Sequence, residues 1–161
     1  MGGYTLLPFG LGCAAIVIAV DQLSKWLILT EVMNPPRVIE ITGFLNLVLV
    51  SNKGVSFGLF SSDAVWAQPA LASFAALVSI LLVFWMRQAQ HCFSAISLGL
   101  VVGGALGNAI DRLLHEAVVD FLDFHVAGYH WPVFNIADSA ITVGVIFIIA
   151  EGLFADRKKT K

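Results

Sequence analysis

A membrane α-helical fold, a four-transmembrane-helix bundle with a small β-rich outer-surface segment, is predicted by three observations. Hydrophobic residues make up 58% of the 161-residue chain and charged residues only 12%, whereas a soluble domain is about half apolar and about a quarter charged. The mean hydropathy is +0.87. Four apolar stretches, 6–29, 65–86, 95–114 and 134–154, each reach the ~20 residues that a helix needs to cross a hydrocarbon core about 30 Å thick. They use more than half of the chain, so residues 1–161 are expected to form a single integral-membrane domain.

The first stretch is read as a retained span. It has no Lys/Arg region before it and runs past Asp21 through Trp26 to Leu29, which does not fit a cleaved leader. After it, residues 37–60 read RVIEITGFLNLVLVSNKGVSFGLF. β-branched and aromatic residues punctuated by Gly43 and by Asn52-Lys53-Gly54 make a strand-and-turn pattern. Open sheet edges are not tolerated in lipid, so this β-rich part belongs at the outer interface. Ser61, Ser62 and Asp63 offer an N-cap for a short interfacial helix leading into the second span, where Pro69 is well tolerated near the helix start. Residues 112–131 carry His115, Glu116, Asp120, Asp123, His125, Tyr129 and His130 among apolar residues. They are expected to pack back on the membrane surface.

Lys and Arg near the span ends set orientation. Arg87 follows the second span, and Arg157, Lys158, Lys159 and Lys161 follow the fourth. Both places fall on one side, which predicts cytoplasmic termini. Cys13 and Cys92 then lie near the cytoplasmic ends of their helices, where thiols stay reduced. The net charge of −2 and the lack of a basic stripe give no sign of a nucleic-acid partner.

With alternating helix directions, the strongly polar intramembrane residues converge in one leaflet. Asp21, Gln22, Ser24 and Lys25 sit in the outer half of the first helix, Asn108, Asp111 and Arg112 at the outer end of the third, and Asn135 and Asp138 in the first turns of the fourth. Buried ionisable groups cost at least about 2.5 kcal/mol on insertion scales and mark paired or functional positions. Asp21 and Lys25, spaced i, i+4, either neutralise each other or contact substrate. Asp111 and Arg112 are expected to join them in one charged cluster. Gly99, Gly103 and Gly107 form a small-residue stripe suited to close helix packing. Asn108 continues from it, placed to hydrogen-bond a substrate backbone or a neighbouring helix.

Asp120 and Asp138 lack a comparably spaced cation. Two carboxyls in one site repel, which raises one pKa and leaves a single shared proton across neutral pH. The ionised member takes a proton from a water attacking a peptide carbonyl, while the protonated member supports the oxyanion and then the leaving amine. The alternative is two solvated interfacial acids.

Five motifs in order, DQLSK (21–25), NKGVSFG (52–58), GGALGNAIDR (103–112), VVDF (118–121) and FNIAD (134–138), resemble those of the bacterial lipoprotein signal peptidases, or signal peptidase II. The resemblance covers nearly the whole chain; Ser56 stands where many members have Ala. It implies an aspartyl endopeptidase of the bacterial inner membrane that removes signal peptides from prolipoproteins by cutting before a diacylglyceryl cysteine. It implies Asp120 and Asp138 as the catalytic pair. Asp21, Lys25, Asn52, Gly54, Asn108, Asp111, Arg112 and Asn135 become substrate-positioning or site-supporting residues, on the outer (periplasmic) side. The expected partners are prolipoprotein substrates and membrane lipids, with the enzyme a monomer and no cofactor or metal. Two other readings remain: a membrane metallopeptidase using His115, Asp120, Asp123, His125 and His130, although HEAVV lacks the second His of HExxH, and a small ion-coupled transporter, although the polar set does not cross the bilayer.

Overall fold

The computed structural model describes residues 6–54 and 64–159, with side chains through residue 153. Helix α1 (Leu7–Leu27) has Pro8 in its first turn and continues into a π-helical stretch, Ile28–Val32. Strands β1 (Ile39–Thr42) and β2 (Leu45–Asn52) follow, then α2 (Ala67–Met86), α3 (Cys92–His115), β3 (Val118–Val126), β4 (Tyr129–His130) and α4 (Ile136–Lys159). Four helices are long and apolar enough to cross a membrane. The expected N-cap at Ser61–Asp63, the motif positions 55–58 and the side chains of the C-terminal cations fall outside the described residues; residues 64–66, where the short interfacial helix is expected to begin, form a turn that leads directly into α2.

Helix α3 is the hub, packed against α1, α2 and α4. Close approach depends on its small residues. A Cβ added at Gly103 would stand 2.8 Å from the Ala14 carbonyl oxygen and 2.7 Å from Val17 Cβ, so only glycine admits α1 here. The apolar centre at the end of the bundle away from the sheet comprises Ala14, Met86, Ala95, Leu98 and Val102. Large apolar side chains such as Phe9, Ile16, Phe74 and Leu81 stay exposed on the other helix faces, as lipid-facing residues must.

At the opposite end the strands form one antiparallel sheet in the order β1-β2-β3-β4. Strands β2 and β3 are separated in sequence by two spans, yet pair from Leu45↔Phe124 to Asn52↔Val118. Phe121 packs with Ile28 and Met33, seating the sheet on the end of α1. Residues 112–131 therefore do more than lie on the surface: they supply a nine-residue strand at the middle of the sheet. Strand β3 turns into β4 through Ala127 and Gly128, both at positive φ (51° and 82°), the signature of a two-residue hairpin turn that matches strand twist.

Candidate active site

The site forms where the sheet meets the C-terminal halves of α1 and α3 and the N-terminal turns of α4. Its base is the buried Lys25 ammonium, which donates to Asp21 Oδ2 at 2.8 Å, Asp111 Oδ2 at 2.7 Å and Asn108 Oδ1 at 3.1 Å. All three ammonium protons are thereby used. The other carboxylate oxygens also have donors. Asp21 Oδ1 accepts from the Ala137 backbone N–H at 2.9 Å, Asp111 Oδ1 from Gln22 Nε2 at 2.8 Å, and Asp111 Oδ2 from the Val119 N–H at 3.1 Å. A cluster confined to side chains at 0–3% exposure holds its charges because each carboxylate oxygen has at least one donor. Gly107 makes room for it, since a Cβ there would lie 2.7 Å from Asp21 Oδ2.

Asp21, Lys25 and Asp111 thus pair as expected, but Arg112 does not turn into this cluster. Its guanidinium donates to the Gly54 carbonyl at 2.9 Å and the Asn108 carbonyl at 3.2 Å. One residue further along a helix points about 100° away, so adjacent Asp111 and Arg112 serve different faces of α3.

The start of α4 is built by FNIAD itself. Asn135 Oδ1 accepts from the Asp138 N–H at 2.9 Å, and Asp138 Oδ2 accepts from the Asn135 N–H at 3.3 Å. This reciprocal arrangement has the logic of a capping box, and the acid sits where the helix dipole favours negative charge. The residues that start the helix are therefore the residues that place Asp138.

Two amides join the aspartates. Asn108 Nδ2 donates to Asp138 Oδ1 at 2.8 Å, and Asn135 Nδ2 donates to Asp120 Oδ1 at 2.7 Å. Asn135 Nδ2 also reaches Asn108 Oδ1 at 3.2 Å. The order Asp120, Asn135, Asn108, Asp138 is continuous. From the sheet, Asn52 Nδ2 donates to the second oxygen of Asp120 at 2.9 Å, while Asn52 Oδ1 accepts from the Gly54 N–H at 3.0 Å. Burial pushes the Asp120 carboxyl up to about 6, and the Asp138 charge adds to this; Asn52, Asn135 and Lys25 pull the other way.

Beside Asp138 lies a cavity of about 690 Å³, with Asp120 buried behind its lining. Asn52, Asn108, Arg112 and Asp138 form its polar end, and Phe74, Val78, Ala105 and Ile141 extend it as an apolar groove between α2, α3 and α4. Trp131, Pro132, Val133 and Phe134 wall it beside the sheet.

Apart from Asp120, the His/Asp set lies elsewhere. His130 Nδ1 is 2.8 Å from Asp123 Oδ1, and its ring stacks on His125 at 5.0 Å between centroids. Burial disfavours the Asp123 carboxylate, but hydrogen bonds from His130 and Asn46, with the imidazole charges, hold its pKa below the usual value. His115 is exposed at the end of α3. Among the described residues, no three His, Cys, Asp or Glu side chains gather in a way that could hold a metal ion.

A family model for signal peptidase (SPase) II matches residues 13–154. The lipoprotein signal peptidase of Burkholderia vietnamiensis is 44% identical over 144 residues, covering 89% of this chain and 86% of that protein. That of Burkholderia thailandensis is 41% identical over 153 residues, covering 94% and 90%. Two solved bacterial membrane enzymes share the fold. One has TM-score 0.82 and 34% identity over 94% of this chain and 91% of its own; the other has 0.76 and 35% over 89% and 92%.

Proposed function

The chain belongs to the signal peptidase II family, a bacterial multi-pass membrane peptidase family, and we propose that it cleaves prolipoproteins before a diacylglyceryl cysteine by an aspartyl mechanism centred on Asp120 and Asp138. The observation that carries this reading is the continuous hydrogen-bond path from Asp120 through Asn135 and Asn108 to Asp138, at the polar end of an apolar groove.

In its active form the pair holds one proton. In this reading Asp120, whose carboxyl burial pushes up to about 6, carries the proton and Asp138 is the base. Asp138 removes a proton from water as the hydroxide oxygen bonds to the scissile carbonyl carbon. Asp120 gives its proton to the carbonyl oxygen, so no full oxyanion accumulates. Collapse of the tetrahedral diol breaks the C–N bond, the amine takes the proton held by Asp138, and a diol proton returns to Asp120. Water has been consumed and the pair again holds one proton.

The groove supports the lipid requirement. Its walls suit acyl chains, each buried CH₂ contributing about 0.8 kcal/mol, while the dyad stays at headgroup height beside the sheet. In this reading residues 1–161 act as one membrane unit and a monomer, with both termini cytoplasmic and the dyad on the periplasmic side of the inner membrane. Asp21, Lys25, Asn52, Gly54, Asn108, Asp111, Arg112 and Asn135 orient the pair or the substrate.

The test is initial cleavage rate by purified enzyme in lipid, on a diacylglyceryl prolipoprotein and its unlipidated counterpart. Lipidated substrate is cut much faster, before the modified cysteine. Equal rates on both, or a cut elsewhere, would sink the proposal.

A further inference from the structure

The orientation of Asn52 depends on a turn, and that turn is held at two successive carbonyls. Asn52 Oδ1 accepts from the Gly54 N–H at 3.0 Å, which leaves Nδ2 aimed at Asp120 Oδ2 at 2.9 Å. An amide fixed this way faces the aspartate only while the backbone of residues 52–54 keeps its shape. Arg112 of α3 holds the Gly54 carbonyl at 2.9 Å. Gln68 of α2 holds the Lys53 carbonyl, with Nε2 donating at 2.6 Å.

Gln68 lies outside the five motifs read from the sequence. It is the second residue of α2 and only 6% exposed, a polar side chain buried where an unbonded amide would be costly. Pro69 follows it and pre-sets the backbone of the first helical turn, so the amide projects from a stiff base. The bond crosses from α2 to the end of β2, linking a span that carries none of the polar motif residues to the turn beside Asp120.

We propose that Gln68 is a positioning residue, clamping the Asn52-Lys53-Gly54 turn so that Asn52 keeps its hydrogen bond to Asp120 during turnover. The inference rests on the reading of Asp120 and Asp138 as the catalytic pair.

The test uses the full-length enzyme in lipid with a diacylglyceryl prolipopeptide. Gln68→Met keeps length and removes the donor; Gln68→Glu keeps shape and removes it too. Each lowers kcat about three- to tenfold, the range expected for one hydrogen bond, and leaves KM within about twofold. Losing the Asn52 bond favours protonated Asp120, so in Gln68→Met the alkaline fall of the rate profile moves to higher pH. The other charged groups acting on Asp120, Asp138 from α4 and Lys25 from α1, are unaltered by that change. The double variant Asn52→Ala/Gln68→Met is no slower than Asn52→Ala alone, because both act through one bond. Wild-type kcat and pH profile in Gln68→Met, fully additive losses in the double variant, or failure of both single variants to fold would overturn the positioning role. Asp120→Asn is assayed in parallel. Its retention of activity sinks the dyad reading itself, whereas an inactive Asp120→Asn beside an unchanged Gln68→Met sinks only this inference.

Discussion

Lys25 decides which way Asn108 faces. The ammonium donates to Asn108 Oδ1 at 3.1 Å, so the other end of the amide, Nδ2, is turned to Asp138 at 2.8 Å. A buried ion cluster thereby sets the polarity of a hydrogen bond at the proposed dyad. Lys25→Met removes the cation that, among the described residues, contacts both Asp21 and Asp111. We expect a loss of about 3–5 kcal/mol in stability, the usual result of stranding buried charge, together with loss of turnover. Lys25→Arg should rescue little, since a planar fork does not reproduce three converging donors. Thermal unfolding and cleavage of the purified variants check both statements; a Lys25→Met enzyme of wild-type stability would contradict them.

Asp120→Asn and Asp138→Asn should each lower kcat by at least about 10³-fold, because an amide keeps the size but cannot exchange the proton. Folding should survive, with both variants inserted and eluting like the wild type. Activity within tenfold of wild type in either variant would remove that residue from the pair.

The pH dependence follows from Asp120. Its carboxyl is pushed up to about 6 chiefly by burial, so below that pH the shared proton is held and above it the pair becomes doubly ionised. kcat/KM should fall as pH rises through about 6, and fall again at low pH when both carboxyls are protonated. Asn52 favours the ionised form, so Asn52→Ala should shift the upper limb to higher pH. A profile flat from pH 5 to 9 would contradict this.

Much of this was legible in the sequence because lipid imposes a strict code. The four spans follow from length and apolarity, and one-leaflet convergence of polar residues follows from alternating helix direction. Strand β3 was missed. Its VVDFLDFHV run is buried on both faces over Val118–Phe121, so it lacks the apolar/polar alternation that marks a half-buried strand, although its β-branched and aromatic content was a signal. Arg112 was misplaced because neighbours in sequence were taken to share a cluster, while the helical turn sends them apart. Gln68 carried no signal: its partner is a backbone carbonyl, and no residue pattern reports that.

Cleavage should persist in excess chelator, because proton exchange between two carboxyls does the work that a Lewis acid would otherwise do. The measurement is the initial rate before and after dialysis against chelator, with zinc added back. Loss on dialysis and recovery with zinc would favour the outer His and Asp residues instead.

Arg112 supplies the last prediction, because its geometry separates charge from shape. The guanidinium bridges two backbone carbonyls, Asn108 at 3.2 Å on its own helix and Gly54 at 2.9 Å in the sheet-side turn. A Lys there keeps the positive charge near Asp138 and Asp120 but offers a compact ammonium instead of a fork. Arg112→Ala should reduce kcat/KM at least about tenfold, as expected when a buried carbonyl loses a charged donor. Arg112→Lys should recover only part of that loss, and Arg87→Ala, at an exposed position beyond α2, should behave as wild type. Full recovery by Lys would mean that charge alone matters, and the bridge between α3 and the turn would have no part in catalysis.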